Sequence, residues 1–278
     1  MSNTMLTRVR LAAALGAYAV CFWPVWRWFA ARLTDGSDEP WGLAALAAGV
    51  ACSWPRDRRF RFVSTDPLVG AAACLTAAYV VLLFTAPPIV RAIAALAAIG
   101  CLWVSLANAR ERAPVVIALF VLSLPLIASL QFYVGYPLRA MTAEGATRLL
   151  NAVGFDIARS GTAMTWNGRL VLVDAPCSGV RMLWTASCLA CVLAAQRARV
   201  RVSQLVLVLT AVIPVVLVAN MLRAAALFVL ETRFASVSDV VHVTVGVAAF
   251  ALLGWALFGV ECLARGATLS QVSTVADR

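Results

Sequence analysis

The chain contains no lysine. All 23 of its basic residues are arginine, which excludes a serine–lysine dyad and any Schiff-base lysine. Histidine occurs once, at His242, and the apolar stretches hold no pair of carboxylates. Metal-assisted hydrolysis would therefore have too few ligands, and neither a metal nor another cofactor is expected. Charge is scarce: 13% of the 278 residues are charged and 63% are hydrophobic, with mean hydropathy +0.89. Soluble domains are about a quarter charged, so this composition points to lipid. A disulfide framework is also excluded, because Cys21, Cys52, Cys74, Cys101, Cys188, Cys191 and Cys262 all fall inside apolar runs. There cysteine acts as a small hydrophobe. Only Cys177 stands at a polar boundary. No cleavable signal peptide is read, since the first apolar run is long and broken by Trp26-Arg27-Trp28.

What is present is a series of long apolar runs. Spanning hydrocarbon takes about 20 apolar residues, and candidate spans fall near 11–33, 41–54, 67–86, 88–107, 113–131, 177–196, 204–229 and 242–263. The expectation is an all-α polytopic membrane protein of about eight transmembrane helices. It forms a single membrane domain over 1–278: a five-span half (1–131), an extracytoplasmic segment (132–176), a three-span half (177–263) and a cytoplasmic tail (264–278). The net charge of +10 does not imply nucleic acid, because the arginines lie in short clusters between the runs. Arg8 and Arg10, Arg56 to Arg61, Arg110 and Arg112, and Arg197 to Arg201 mark cytoplasmic connections. Both termini are then cytoplasmic, and the fifth connection faces outward. Its first half, Tyr136 to Phe155, reads as an amphipathic helix at the interface. Its second half holds Trp166-Asn167-Gly168-Arg169 between β-formers, a hairpin signal just before the sixth span.

Asp174-Ala175-Pro176-Cys177-Ser178-Gly179 places a thiol at the mouth of that span. With Pro176 as first helical residue, Cys177 is expected in the first turn, where free N–H groups favour a thiolate or an oxyanion. Gly179 allows close approach of a substrate backbone. Arg181 adds positive charge on the same face, while Asp174 opposes thiolate formation. Arg223 lies inside the seventh span, and an intramembrane arginine points to function. Asn220 shares its face three residues earlier. His242 opens the eighth span and is the only imidazole that a cysteine–histidine mechanism can use. The topology brings Cys177, Arg223 and His242 to the same, outer side.

Cys177-Ser178-Gly179, Asn220-Met221-Leu222-Arg223 and His242, with Gly135-Tyr136-Pro137-Leu138-Arg139 before the amphipathic segment, resemble the exosortase/archaeosortase family over about residues 120–260. The acidic motif of many members, often ending in His-Gly, stands here as Asp38-Glu39-Pro40-Trp41-Gly42 without its histidine. The resemblance implies a cysteine transpeptidase or protease of a bacterial inner membrane with its site facing the periplasm. Its partners would be secreted proteins bearing a tripartite C-terminal tail (a Pro-Glu-Pro-like motif, a membrane helix and a basic end), along with membrane lipids and a lipid or glycan acceptor. Cys177 would form the thioester, His242 would handle protons, and Arg223 would stabilise the oxyanion or clamp a carboxylate. A different class also fits the residues: a transporter binding an anion at Asn220 and Arg223, on a helix broken at Pro214.

Overall fold

The computed structural model describes residues 13, 16–34, 41–55, 60, 63, 65–173, 177–233 and 239–276. The chain divides into two compact units: residues 1–126 with 194–205, and residues 127–193 with 206–278.

The first unit contains α1 (Trp23–Thr34), α2 (Gly42–Ser53), α3 (Pro67–Thr85), α4 (Pro88–Leu106), a 3₁₀ turn at Arg110–Arg112 and α5 (Ala113–Leu122). The candidate spans 67–86 and 88–107 form a helical hairpin: α3 ends at Thr85, and Pro88 opens α4, where its missing N–H costs nothing. Asp66 caps α3 by accepting the Leu68 N–H at 3.0 Å. It is buried and takes the Ser105 hydroxyl at 2.6 Å and the Arg110 guanidinium at 2.8 Å. Burial works against its charge. The hydroxyl, the Leu68 N–H and Arg110 nevertheless hold the Asp66 carboxyl below the usual carboxylate range. Phe22, Val25, Tyr79, Ala95, Val116 and Phe120 form the core of this unit.

The second unit holds α6 (Ile127–Ala152), β1 (Ala158–Ser160), β2 (Ala163–Trp166), β3 (Arg169–Leu172), α7 (Val180–Ala194), α8 (Val202–Arg233) and α9 (Asp239–Ala276), with the first residues of α8 and the last of α7 falling in the other unit. The expected hairpin turns at Asn167-Gly168, both at positive φ (50° and 77°). That is the backbone a two-residue primed turn demands. The hairpin is part of a larger sheet: β1 pairs antiparallel with β2, giving the order β1-β2-β3. Two clusters fill this unit. One joins Ala143, Ala146 and Leu150 of α6, Met164 and Val173 at the sheet, and Phe228 of α8. The other joins Ala186 and Ala190 of α7 to Val212 and Val216 of α8 and Leu253 of α9.

Four helices among the described residues are long and apolar enough to cross a membrane: α3, α4, α8 and residues 240–259 of α9. They support a multi-pass membrane protein. α2 and α7 are apolar but shorter, at 12 and 15 residues. Two expectations need correction. The fifth predicted span, 113–131, divides: α5 stops at Leu122 and α6 starts at Ile127, because Pro125 lacks an N–H and drives Leu124 out of helical conformation. The amphipathic helix accordingly begins at Ile127 instead of Tyr136 and passes through Pro137. The last helix runs on to Ala276, and its apolar stretch 240–259 covers most of the predicted eighth span. α8 continues through Pro214 for 32 residues, so the broken helix that an anion transporter would need is not formed there.

Candidate functional site

Gly179 adopts φ +82°, a left-handed conformation that no helix interior allows. α7 therefore starts at Val180, and Cys177 stands three residues ahead of it instead of in its first turn. Gly179 still opens the helix by accepting the Leu183 N–H at 2.8 Å. Ser178 is buried and ties down this approach. Its hydroxyl donates to Gln131 Oε1 of α6 at 2.8 Å and accepts the Val180 N–H at 3.3 Å. Asp174 and Pro176 lie outside the described residues.

Asn220, 1% exposed, meets this loop from α8. Its Nδ2 donates to the Cys177 carbonyl at 2.9 Å and to Thr142 Oγ1 of α6 at 3.0 Å. The approach needs glycine at 179, since a Cβ there would come within 2.9 Å of Nδ2. It also needs small residues where α6 meets α8: Gly145 lies against the Met221 side chain, beside buried Ala143 and Ala146. Cys177 itself packs against the cluster formed by α6, the sheet and α8.

One helical turn further along α8, Arg223 follows on the face of Asn220. Its Nε is buried and hydrogen-bonded to nothing. The guanidinium lies over Gly246 of α9, where a Cβ would sit 3.5 Å from Nε and 3.8 Å from Nη2. It also borders an otherwise apolar groove of about 680 Å³ between α8 and α9, lined by Val218, Leu222, Val245 and Leu252 among others. His242 stands four residues before Gly246, on the same face of α9. Its Nε2 is 3.4 Å from Glu231 Oε1 in the last turn of α8, with both side chains about one-third exposed. Arg181 is exposed at the start of α7.

The residues picked out by sequence are linked pair by pair along α8 and α9. Cys177, Ser178 and Gly179 join Asn220, whose helix carries Arg223, which rests on the α9 face that bears His242. Four members escaped sequence reasoning: Gln131, Thr142, Glu231 and Gly246. Glu231 could have been found, since a carboxylate at the end of the seventh predicted span borders the histidine opening the eighth. Gln131 and Thr142 give no such signal, because only the crossing of α6 and α8 makes them neighbours of the loop. Chemically, these residues offer a thiol, a guanidinium whose Nε is unsatisfied among the described residues, and an imidazole beside a carboxylate. No curated protein and no solved structure matches the chain. A family model of transmembrane exosortases matches residues 9–259, nearly the whole chain and all of these residues; the protein belongs to the transmembrane exosortase family.

Proposed function

We propose that the protein is a cysteine transpeptidase or endopeptidase that removes the C-terminal sorting tail of secreted proteins at the outer face of a bacterial inner membrane. The observation that carries this reading is the Cys177 loop bonded to Asn220 on the same helix that carries Arg223 and ends with Glu231 beside His242. Family membership supports a membrane sorting enzyme. The arginine clusters support cytoplasmic termini and a site facing the periplasm.

In this mechanism His242 accepts the Cys177 proton, and the sulfur attacks the carbonyl carbon of the scissile peptide. The C–O π electrons move onto oxygen, and the Arg223 guanidinium, whose Nε has no hydrogen-bond partner among the described residues, faces the developing negative charge. Collapse breaks the C–N bond as imidazolium protonates the departing amine, leaving a thioester on Cys177. Water or an envelope amine then gives its proton to His242 and attacks the thioester. The second collapse frees the product and returns the proton to sulfur. Glu231 orients the imidazole and stabilises its charged form, as a third group does in other nucleophile–base pairs. Asn220 fixes the loop on which the sulfur is mounted.

A reporter ending in a Pro-Glu-Pro motif, an apolar helix and an arginine run tests the scheme in cells. Wild-type protein should shorten the reporter; Cys177→Ala should leave it full-length at equal enzyme abundance. Shortening by the alanine variant would end the proposal.

A further inference from the structure

β3 is an edge strand, and the register shows which of its backbone groups are free. Trp166 and Arg169 flank the two-residue turn, and in such hairpins the flanking pair exchanges ladder hydrogen bonds. Met164 with Val171 follows in the same phase, and the Val173 N–H reaches Thr162 O at 3.0 Å, which confirms it. Leu170 and Leu172 therefore turn their N–H and C=O groups away from β2. Among the described residues no strand lies on that side, and neither leucine makes a backbone bond there. Their side chains are 62% and 53% exposed.

An open apolar edge invites pairing with another chain, and proteins usually blunt it with charge, proline or a bulge. Leu170-Val171-Leu172 has none of these. Its inner residue explains what the edge can serve: Val171 and Cys177 both pack against the same cluster, and Val173 belongs to it. Leu172 is five residues from Cys177, a span of about 17 Å at most. A polypeptide laid along β3 would lie beside the cluster that Cys177 packs against.

We propose that the free edge of β3 binds an extended segment of the substrate polypeptide by strand addition, through the two N–H and two C=O groups of Leu170 and Leu172, and so presents the scissile bond to Cys177. This rests on Cys177 being the nucleophile. Main-chain bonding of this kind supplies affinity without demanding particular side chains, which suits an enzyme whose substrates share only a tail. The membrane surface is the competing occupant of two exposed leucines.

The test uses the full chain in membranes with the tailed reporter. Leu170→Pro and Leu172→Pro each remove an outward N–H while leaving the β2 ladder intact, a position where edge strands tolerate proline. Each should slow processing about tenfold, the equivalent of one buried bond left unmade, whereas Leu170→Ala and Leu172→Ala should process within about threefold of wild type. Proline variants that process at the wild-type rate overturn the proposal and leave the leucines to the membrane. If the proline variants fail to accumulate, wild-type enzyme is given synthetic tail peptides N-methylated at successive backbone nitrogens before the scissile bond. Cleavage blocked at every second position supports strand addition; uniform tolerance overturns it. Peptide cleavage by Cys177→Ala enzyme would instead show that the nucleophile is misassigned, whatever the strand variants do.

Discussion

Asn220 reaches the carbonyl oxygen of Cys177 at 2.9 Å from a buried position on α8. The Cys177 loop is thereby tied to the same helix that carries Arg223. Removing the amide leaves a carbonyl and the Thr142 hydroxyl short of a donor, at a cost of about 1–3 kcal/mol. Asn220→Ala should lower tail processing tenfold or more. Thr142→Val, which removes only one acceptor of the amide, should have the smaller effect. Rate measurements on both variants at matched abundance check the order.

Gly179 is held at φ +82°, with Asn220 Nδ2 in the space a side chain would need. Gly179→Ala combines backbone strain of about 1–3 kcal/mol with displacement of the amide. The expected outcome is a protein that melts earlier in detergent and processes far less reporter than Gly70→Ala, a position with open space around it. Equal melting and equal activity of the two variants would remove the positioning role of this turn.

Glu231 lies 3.4 Å from His242 Nε2. Glu231→Gln keeps the shape and loses the charge that supports an imidazolium. It should cut kcat for a tail peptide by about one to two orders of magnitude with KM little changed, the pattern of an interaction made in the transition state. Glu231→Asp should recover part of the loss. A rise in KM alone would place Glu231 in substrate binding instead.

These residues also show how far a sequence can be read. The Asn167-Gly168 turn and the α3–α4 hairpin were legible because glycine, asparagine and proline act locally on the backbone. Asn220 and Arg223 drew notice because polar groups in apolar runs need a reason, and Cys177 and His242 because they open predicted spans. β1 was not, since Ala158-Arg159-Ser160 has no strand pattern of its own and exists only through pairing with β2. The division of the fifth span was visible in principle at Pro125, but its apolar composition continues across the break. The left-handed Gly179 moved Cys177 out of the helix, a shift that hydropathy does not record.

Asp66 offers a test outside the site. Its carboxyl is held below its ordinary range by Ser105, Leu68 and Arg110 against the cost of burial. A lowered value in the fold means stability that is present above about pH 4 and lost as pH falls through the folded value. Thermal melts in detergent from about pH 5 downward should show wild type losing stability faster than Asp66→Asn. Parallel curves would mean the contacts do not favour the charged form.

The most direct measurement is the covalent intermediate. Purified enzyme mixed with tailed reporter and quenched in acid should yield a fraction heavier by the mass of the shortened reporter. Peptide mapping should locate the thioester on Cys177, and hydroxylamine should release it. Processed reporter accumulating with Cys177 unmodified throughout, and with no adduct elsewhere on the chain, would contradict a thiol nucleophile at this position.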